Sequence, residues 1–75
     1  MAIKINPLER RWMKLFGARL AAAMKNRGIS QAELAKVSCL SQGTICKYLA
    51  GELSPKAYHV KNLANCFGVC VEDLL

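Results

Sequence analysis

The sequence lacks any long uninterrupted apolar stretch. Its longest uncharged runs, residues 37–46 and 62–71, contain polar side chains and fall well short of the ~20 apolar residues that span a bilayer. No apolar segment of the kind found in a secretory signal precedes Arg10 and Arg11. We therefore expect no association with a membrane and a cytoplasmic location.

Histidine and acidic residues are also scarce. His59 is the sole histidine, and Asp and Glu together number five. Because no acid, base and nucleophile set gathers around His59, which we expect on the exposed side of its helix, we predict no enzyme and no cofactor. The cysteine spacings, C-x6-C and C-x3-C, differ from the paired C-x2-C of zinc sites, so we predict reduced thiols and no metal at Cys39, Cys46, Cys66 and Cys70.

What the chain has in excess is positive charge and apolar residues. Lys and Arg number 11, and the net charge is +6 at pH 7. Residues 1–27 hold seven of these cations against Glu9 alone. A basic domain attracts polyanions such as nucleic acid, although charge alone fits an ordinary soluble surface equally well. The apolar content of 53% is high for a single small domain, here residues 1–75, and predicts a subunit interface.

Residues 30–51 contain two short helix patterns separated by a tight turn. Ser30 is placed to N-cap the first helix, with Glu33 at the reciprocal position of a capping box. Ser41 is placed to N-cap the second helix, and Gly51 follows its end. The expected buried stripes are Leu34, Ala35 and Val37 in the first helix, and Ile45, Tyr48 and Leu49 in the second. Because so few residues remain between them, the helices must cross steeply, as in a helix-turn-helix.

A long helix is predicted ahead of this motif. Asn6 as N-cap and Pro7 at the first helical position are typical of a helix start, and the pattern continues to Arg27. Its apolar stripe comprises Leu8, Trp12, Leu15, Phe16 and Leu20. Gly17 interrupts this helix and predicts a kink or a break, since glycine is unfavourable in a helix interior.

Two more helices are predicted after the motif. Ser54 as N-cap and Pro55 at the first helical position indicate a fourth helix, which ends at Gly68 and buries Val60, Leu63, Ala64 and Phe67. Residues 70–75 form a short fifth helix with acidic residues in its first turn. The sequence thus predicts an all-α fold of five helices and no strands.

This pattern resembles the lambda-repressor and Cro-like, or XRE-type, helix-turn-helix family of DNA-binding proteins. The resemblance covers roughly residues 15–75 and rests on Ser30, Gln31, Glu33, Leu34, Ala35, Leu40, Ser41, Thr44, Ile45, Gly51, Pro55, Leu63, Ala64, Gly68, Val69 and Leu74. It implies a compact lambda-repressor-like domain, to which residues 1–14 add an arm and a helical extension. Cys39 departs from the family, which usually has glycine at this point of the turn, where a positive φ is common.

Helical periodicity places Gly43, Cys46, Lys47 and Ala50 on the outward face of the second motif helix, with Thr44 at its edge and Gln42 at its tip. In the family these positions contact bases, so the resemblance implies base contacts at Gln42, Gly43, Thr44 and Lys47. Gln pairs well with adenine, Lys with guanine, and the Thr methyl with thymine. Gly43 offers no side chain, so it either permits a closer approach or contributes no discrimination. Lys47 contacting phosphate instead is an open alternative.

Phosphate contacts are expected from the N-terminus of the first motif helix and from the loop after the second. Gln31 and Lys56 are the main candidates, joined by Ser41, Cys46 and Ser54. Lys4, in the arm, is a further candidate. Oxidation of Cys39 or Cys46 would block a DNA-binding face, and such a redox role is left open.

The resemblance implies a regulator of bacterial or phage type that binds double-stranded DNA, most simply a repressor, acting as a homodimer on a pseudo-palindromic operator. Its interface is expected at Leu74 and Leu75 or at the extension around Trp12. The alternative is an antitoxin-like or other protein-interaction module, which binds a partner protein through Leu8 and Trp12 and DNA only secondarily.

Overall fold

The computed structural model describes residues 6–75, and all regular structure in this part of the chain is helical. Five helices follow in order: α1 (Pro7–Arg27), α2 (Gln31–Ser38), α3 (Gln42–Ala50), α4 (Ala57–Phe67) and α5 (Val71–Leu74). The predicted all-α, five-helix fold is therefore confirmed. The predicted arm with Lys4 lies outside the described residues. Within these, no helix has the length and apolar character needed to cross a bilayer.

Local signals fix both ends of α1 as the sequence predicts. The side chain of Asn6 accepts a hydrogen bond of 3.0 Å from the N–H of Glu9, and Pro7 is the first helical residue. Gly28 ends the helix in the left-handed conformation, with φ of 64°. The helix passes through Gly17 without a break, so the predicted break there is wrong, and a kink at this position stays a prediction.

The predicted start of α4 is also wrong. Ser54 does not cap it; instead its hydroxyl donates a 2.9 Å hydrogen bond to the carboxylate of Glu9 in the first turn of α1. The helix begins at Ala57, and Lys56 occupies the N-cap position without a side-chain cap. The N–H of Lys56 donates to the hydroxyl of Tyr48, which lies 8 residues earlier in α3, so a contact outside α4 holds its N-cap residue.

One core joins all five helices. Its buried members are Phe16, Leu20, Met24, Leu34, Leu40, Ile45, Tyr48, Val60, Leu63, Ala64, Phe67 and Leu74. The predicted stripes of α3 and α4 belong to it, although Leu49 is only partly buried. Leu74, predicted for a subunit interface, is buried against its own chain and therefore not free to contact a partner.

Two predicted stripes are partly wrong. Leu8 is 74% exposed and Leu15 is exposed as well, whereas Met13, which the stripe omits, is buried. Val37 is 58% exposed, and the neighbouring Ser38 takes the inward position of α2. In α1 the buried side differs from the predicted one because Gly17, and not Leu15, faces α3.

Gly17 allows α1 and α3 to approach very closely. A Cβ atom at this position would lie 2.5 Å from the carbonyl oxygen of Tyr48 and 3.0 Å from that of Leu49. Both atoms belong to the backbone of α3, which cannot yield as a flexible side chain does. The residue is therefore glycine because of a close helix-to-helix contact and not because of its own backbone conformation.

We predict that Gly17→Ala destabilises the protein by about 1–3 kcal/mol, because the added methyl group overpacks against backbone. Helix propensity alone predicts the opposite sign, a gain of about 1 kcal/mol. Urea unfolding followed by circular dichroism measures the difference. Gly43→Ala in α3 is the matched control, since the nearest atom to its added Cβ is 3.9 Å away, and its midpoint should stay the same or rise. A higher midpoint for Gly17→Ala would contradict the packing argument.

Candidate nucleic-acid interface

Helices α2 and α3 each begin at a serine cap, as the sequence predicts. The hydroxyl of Ser30 accepts from the N–H of Glu33, and the Glu33 carboxylate accepts from the N–H of Ser30, both at 3.2 Å. The hydroxyl of Ser41 accepts from the N–H of Thr44 at 3.0 Å. These bonds satisfy donors that would otherwise be unpaired at each helix start and so fix where both helices begin.

The turn between α2 and α3 depends on Cys39 and Leu40. Cys39 has φ of 61°, the one positive φ of a non-glycine residue in the described part of the chain. This agrees with the expectation that the residue replaces a glycine, and the conformation costs on the order of 1–3 kcal/mol. Leu40 is buried in the core, so its side chain packs the turn against the rest of the domain.

The outward side of α3 is exposed as periodicity predicts. Its exposed residues, which we call the reading face, are Gln42, Gly43, Cys46, Lys47 and Ala50. Thr44 is half-buried at the edge of this face, and its hydroxyl lies 2.7 Å from that of Ser41. Gln42 and Lys47 are therefore the two long polar side chains that the reading face offers.

The predicted phosphate-contacting residues lie on three segments around α3. Gln31 is half-buried at the first position of α2, and Ser41 is exposed at the N-cap of α3. Lys56 is exposed in the loop after α3. Cys46 is also exposed and lies within α3 itself. Ser54 is half-buried, and its hydroxyl already bonds to Glu9, which places a carboxylate beside this candidate.

Tyr48 holds α3 from its inner side. Its ring is buried, with the Phe16 ring edge-to-face at 5.2 Å between centroids, and its hydroxyl shares a 2.6 Å hydrogen bond with Nδ1 of His59 in α4. Burial raises the pKa of the Tyr48 hydroxyl, and the hydrogen bond from the N–H of Lys56 acts in the opposite direction. His59 was expected on the exposed side of its helix, but it is half-buried because of this bond. Nothing in the sequence pairs these two residues, which are joined across a loop.

Basic residues in α1 do not all serve one surface. Arg27, part of the basic N-terminal third, donates from its guanidinium to the carbonyl oxygen of Phe67. That carbonyl belongs to the last residue of α4, where a cation also interacts favourably with the helix dipole. The clustering of charge in the sequence therefore does not by itself locate the interface.

Comparison with known proteins identifies the fold. The helix-turn-helix family model HTH_3 matches residues 20–74, which is most of the chain and includes the whole of α2, the turn and α3. The chain belongs to this helix-turn-helix family. The resemblance to XRE-type proteins is thereby confirmed. No curated protein matches the sequence.

Solved structures of helix-turn-helix proteins are similar over most of the chain. The restriction-modification controller protein C.AhdI from Aeromonas hydrophila is 24% identical, with a TM-score of 0.81 over 84% of this chain and 96% of that one. A hypothetical transcription factor, NHTF, from Neisseria is 20% identical, with a TM-score of 0.82 over 100% of this chain and 86% of that one. An HTH_3 family transcriptional regulator from Vibrio cholerae is 18% identical, with a TM-score of 0.84 over 88% of this chain but 37% of that one. At these identities the likeness establishes the fold.

Within residues 6–75, no three side chains of His, Cys, Asp or Glu come together in the way that a metal site requires.

We predict that Tyr48→Phe destabilises the domain by about 1 kcal/mol, because His59 and the N–H of Lys56 lose their shared partner. Urea unfolding measures the change. Tyr58→Phe is the matched control, since Tyr58 is 67% exposed in the first turn of α4, and it should leave the midpoint unchanged. Equal midpoints for the two variants would show that the Tyr48 hydroxyl does not stabilise the junction of α3 and α4.

Proposed function

We propose that this helix-turn-helix protein regulates transcription by binding double-stranded DNA at specific sequences. The observation that carries the proposal is the reading face, an exposed helix side with Gln42 and Lys47, whose opposite side is fixed by the core. An α-helix fits the major groove of B-DNA, where base edges present a distinct pattern of donors and acceptors. A controller protein and transcriptional regulators among the similar structures support the regulatory part of the proposal.

Direct base contacts are assigned to the first and middle turns of α3. Gln42 at the helix tip pairs with adenine, Lys47 donates to guanine, and the methyl group of Thr44 contacts thymine. Gly43 lets the helix backbone approach the base edges. Cys46 and Ala50 project little, so the shape and deformability of the site contribute to recognition as well.

Phosphate contacts orient α3 in the groove. Gln31 is at the N-terminus of α2, where free N–H groups and the helix dipole favour an anion. Lys56 supplies a cation from the loop after α3, and Ser41 and Cys46 supply short contacts. The hydroxyl of Ser54 is bonded to Glu9, so Ser54 is assigned a phosphate contact through its backbone N–H. These groups act alike on every sequence and set register and general affinity.

A homodimer on a pseudo-palindromic operator completes the proposal, with repression by occlusion of the promoter. Two copies of α3 would enter successive major grooves about 34 Å apart. Because Leu74 is buried in its own chain, the interface is assigned to the outward side of the extension. There Leu8, Trp12 and Leu15 follow each other at helical spacing, with Leu8 and Leu15 exposed and Trp12 half-buried.

The same apolar stripe favours one alternative function. An antitoxin-like or other protein-interaction module would use Leu8 and Trp12 to bind a different protein, with DNA binding secondary. The exposure of Leu8, at 74%, is the observation that supports such a surface.

Selection from random duplex DNA, followed by binding measurements over a range of salt concentrations, tests the proposal. An enriched motif with two related halves is expected, together with an affinity that falls as salt rises. Equal affinity for every duplex would overturn sequence-specific binding.

We predict that Lys47→Ala changes the base preference of binding, whereas Gln31→Ala changes the overall affinity for DNA. Lys47→Ala should lose about 1–3 kcal/mol of discrimination at one base pair, whereas Gln31→Ala should weaken binding to all sequences alike. Titration against the selected site and its single-base variants measures both. Lys61→Ala is the charge-matched control, because Lys61 is exposed on α4 outside the motif. The opposite pattern would reverse the assigned roles.

We predict that replacing both Leu8 and Leu15 by serine makes the protein monomeric and weakens binding to a two-half site. Affinity for a single half-site should stay unchanged, since neither residue is on the reading face. Light scattering coupled to size-exclusion chromatography measures the mass in solution. A dimer that persists in this variant would refute the assigned interface, and a monomeric wild type with full affinity for its site would refute the dimer itself.

A further inference from the structure

A cavity of about 540 Å³ lies between the end of the α2 segment and α4. It is lined in part by Ser38 and Cys39 from the motif and by Asn62 and Cys66 from α4. The Nδ2 group of Asn62 donates a 3.2 Å hydrogen bond to the carbonyl oxygen of Ser38 and holds the two segments together at one edge.

Ser38 leaves a polar atom unpaired at this cavity. The residue is 2% exposed, and its hydroxyl has no hydrogen-bond partner among the described residues. A buried hydroxyl without a partner is unfavourable by about 1–3 kcal/mol.

Two free thiols line the same cavity in different environments. Cys39 is exposed and Cys66 is half-buried. Burial raises the pKa of the Cys66 thiol, and the negative charge of an ionised Cys39 raises it further. Cys39 is therefore the more accessible of the two thiols.

We propose that hydrogen peroxide converts Cys39 and Cys66 into a disulfide bond across this cavity, which links the turn of the helix-turn-helix to α4. The Cys39 thiolate attacks one peroxide oxygen, the O–O bond breaks, and the departing hydroxide takes a proton to become water. Cys39 is then a sulfenic acid. The Cys66 thiol loses its proton and attacks the Cys39 sulfur; the S–O bond breaks, the S–S bond forms, and a second water leaves with that proton. Two thiols and one peroxide thus give one disulfide and two waters.

The disulfide changes the motif because its geometry is restrictive. The two Cβ atoms must lie within about 3.5–4.5 Å of each other, so the disulfide fixes the position of the turn relative to α4. Cys39 already has a positive φ, and Ser41, the N-cap of α3, follows two residues later. A displaced turn therefore moves the start of the reading face. This consequence rests on the proposed function, and we expect the disulfide to lower affinity for the selected DNA site at least tenfold.

Peptide mapping under non-reducing conditions tests the disulfide without DNA. The protein is treated with equimolar hydrogen peroxide in the presence of a chelator, and a monomer lighter by two hydrogens with a Cys39–Cys66 linked peptide is expected. In the variant Cys46→Ser/Cys70→Ser the linked peptide should still form; serine can keep the N-cap role that Cys70 has in α5. In Cys39→Ser/Cys66→Ser no intramolecular disulfide should form, and circular dichroism verifies that both variants are folded.

Any other product overturns the proposal. These include a disulfide between two chains through Cys46, a Cys39 sulfenic acid that does not go on to react, and oxidation at other thiols alone. Loss of the linked peptide when the chelator is present would also overturn it, because it would assign the pair to metal-dependent oxidation.

The DNA measurement is a separate arm. Reduced wild-type protein and reduced Cys66→Ser should bind the selected site equally, and peroxide should weaken the wild type reversibly while leaving Cys66→Ser unaffected. Equal loss in Cys66→Ser would refute the link between the disulfide and binding. If the reduced protein binds no DNA, the proposed function is wrong. Peptide mapping would still show whether Cys39 and Cys66 form a disulfide.

Discussion

The contact between α1 and α3 at Gly17 is the constraint on which the remainder of the structure depends. With no side chain there, α1 lies directly against the carbonyl oxygens of Tyr48 and Leu49. That position sets the depth of α3 in the domain and turns Met13 and Phe16 inward, while Leu8 and Leu15 face outward. Leu8 and Leu15 are thus exposed on the side of α1 opposite to the side that Gly17 places against α3.

Tyr48 carries this constraint from α1 to α4. One side of its ring meets Phe16, and its hydroxyl bonds to His59 and accepts from the N–H of Lys56. All of these contacts are on the inner side of α3. Side chains on its outer side therefore contribute little to the packing of the core. Side chains at the reading face can therefore vary with little effect on stability, whereas those beneath it cannot.

The sequence predicts most reliably what depends on neighbours in the chain. The caps at Ser30 and Ser41 and the glycine end at Gly51 follow from backbone groups within a few residues, and the structure confirms them. The start of α4 and the inward face of α1 are mispredicted, because a tyrosine hydroxyl in α3 and a close approach at Gly17 decide them. Both depend on residues outside the helix concerned, which the periodicity of that helix does not register. The proposed DNA contacts are a third case, since exposure of α3 shows which side chains are available and not what they bind.

The small side chains of the reading face bear on why the proposed regulator needs two copies. A good bidentate contact discriminates against the wrong base by about 1–3 kcal/mol, so the contacts proposed for Gln42 and Lys47 would together supply about 2–6 kcal/mol in one half-site. Specific binding usually exceeds non-specific binding by about 4–10 kcal/mol. One copy therefore reaches only the lower part of that range, because Gly43, Cys46 and Ala50 add little. Two copies on one operator would double the contribution and bring it well within that range, which is the energetic argument for the proposed dimer.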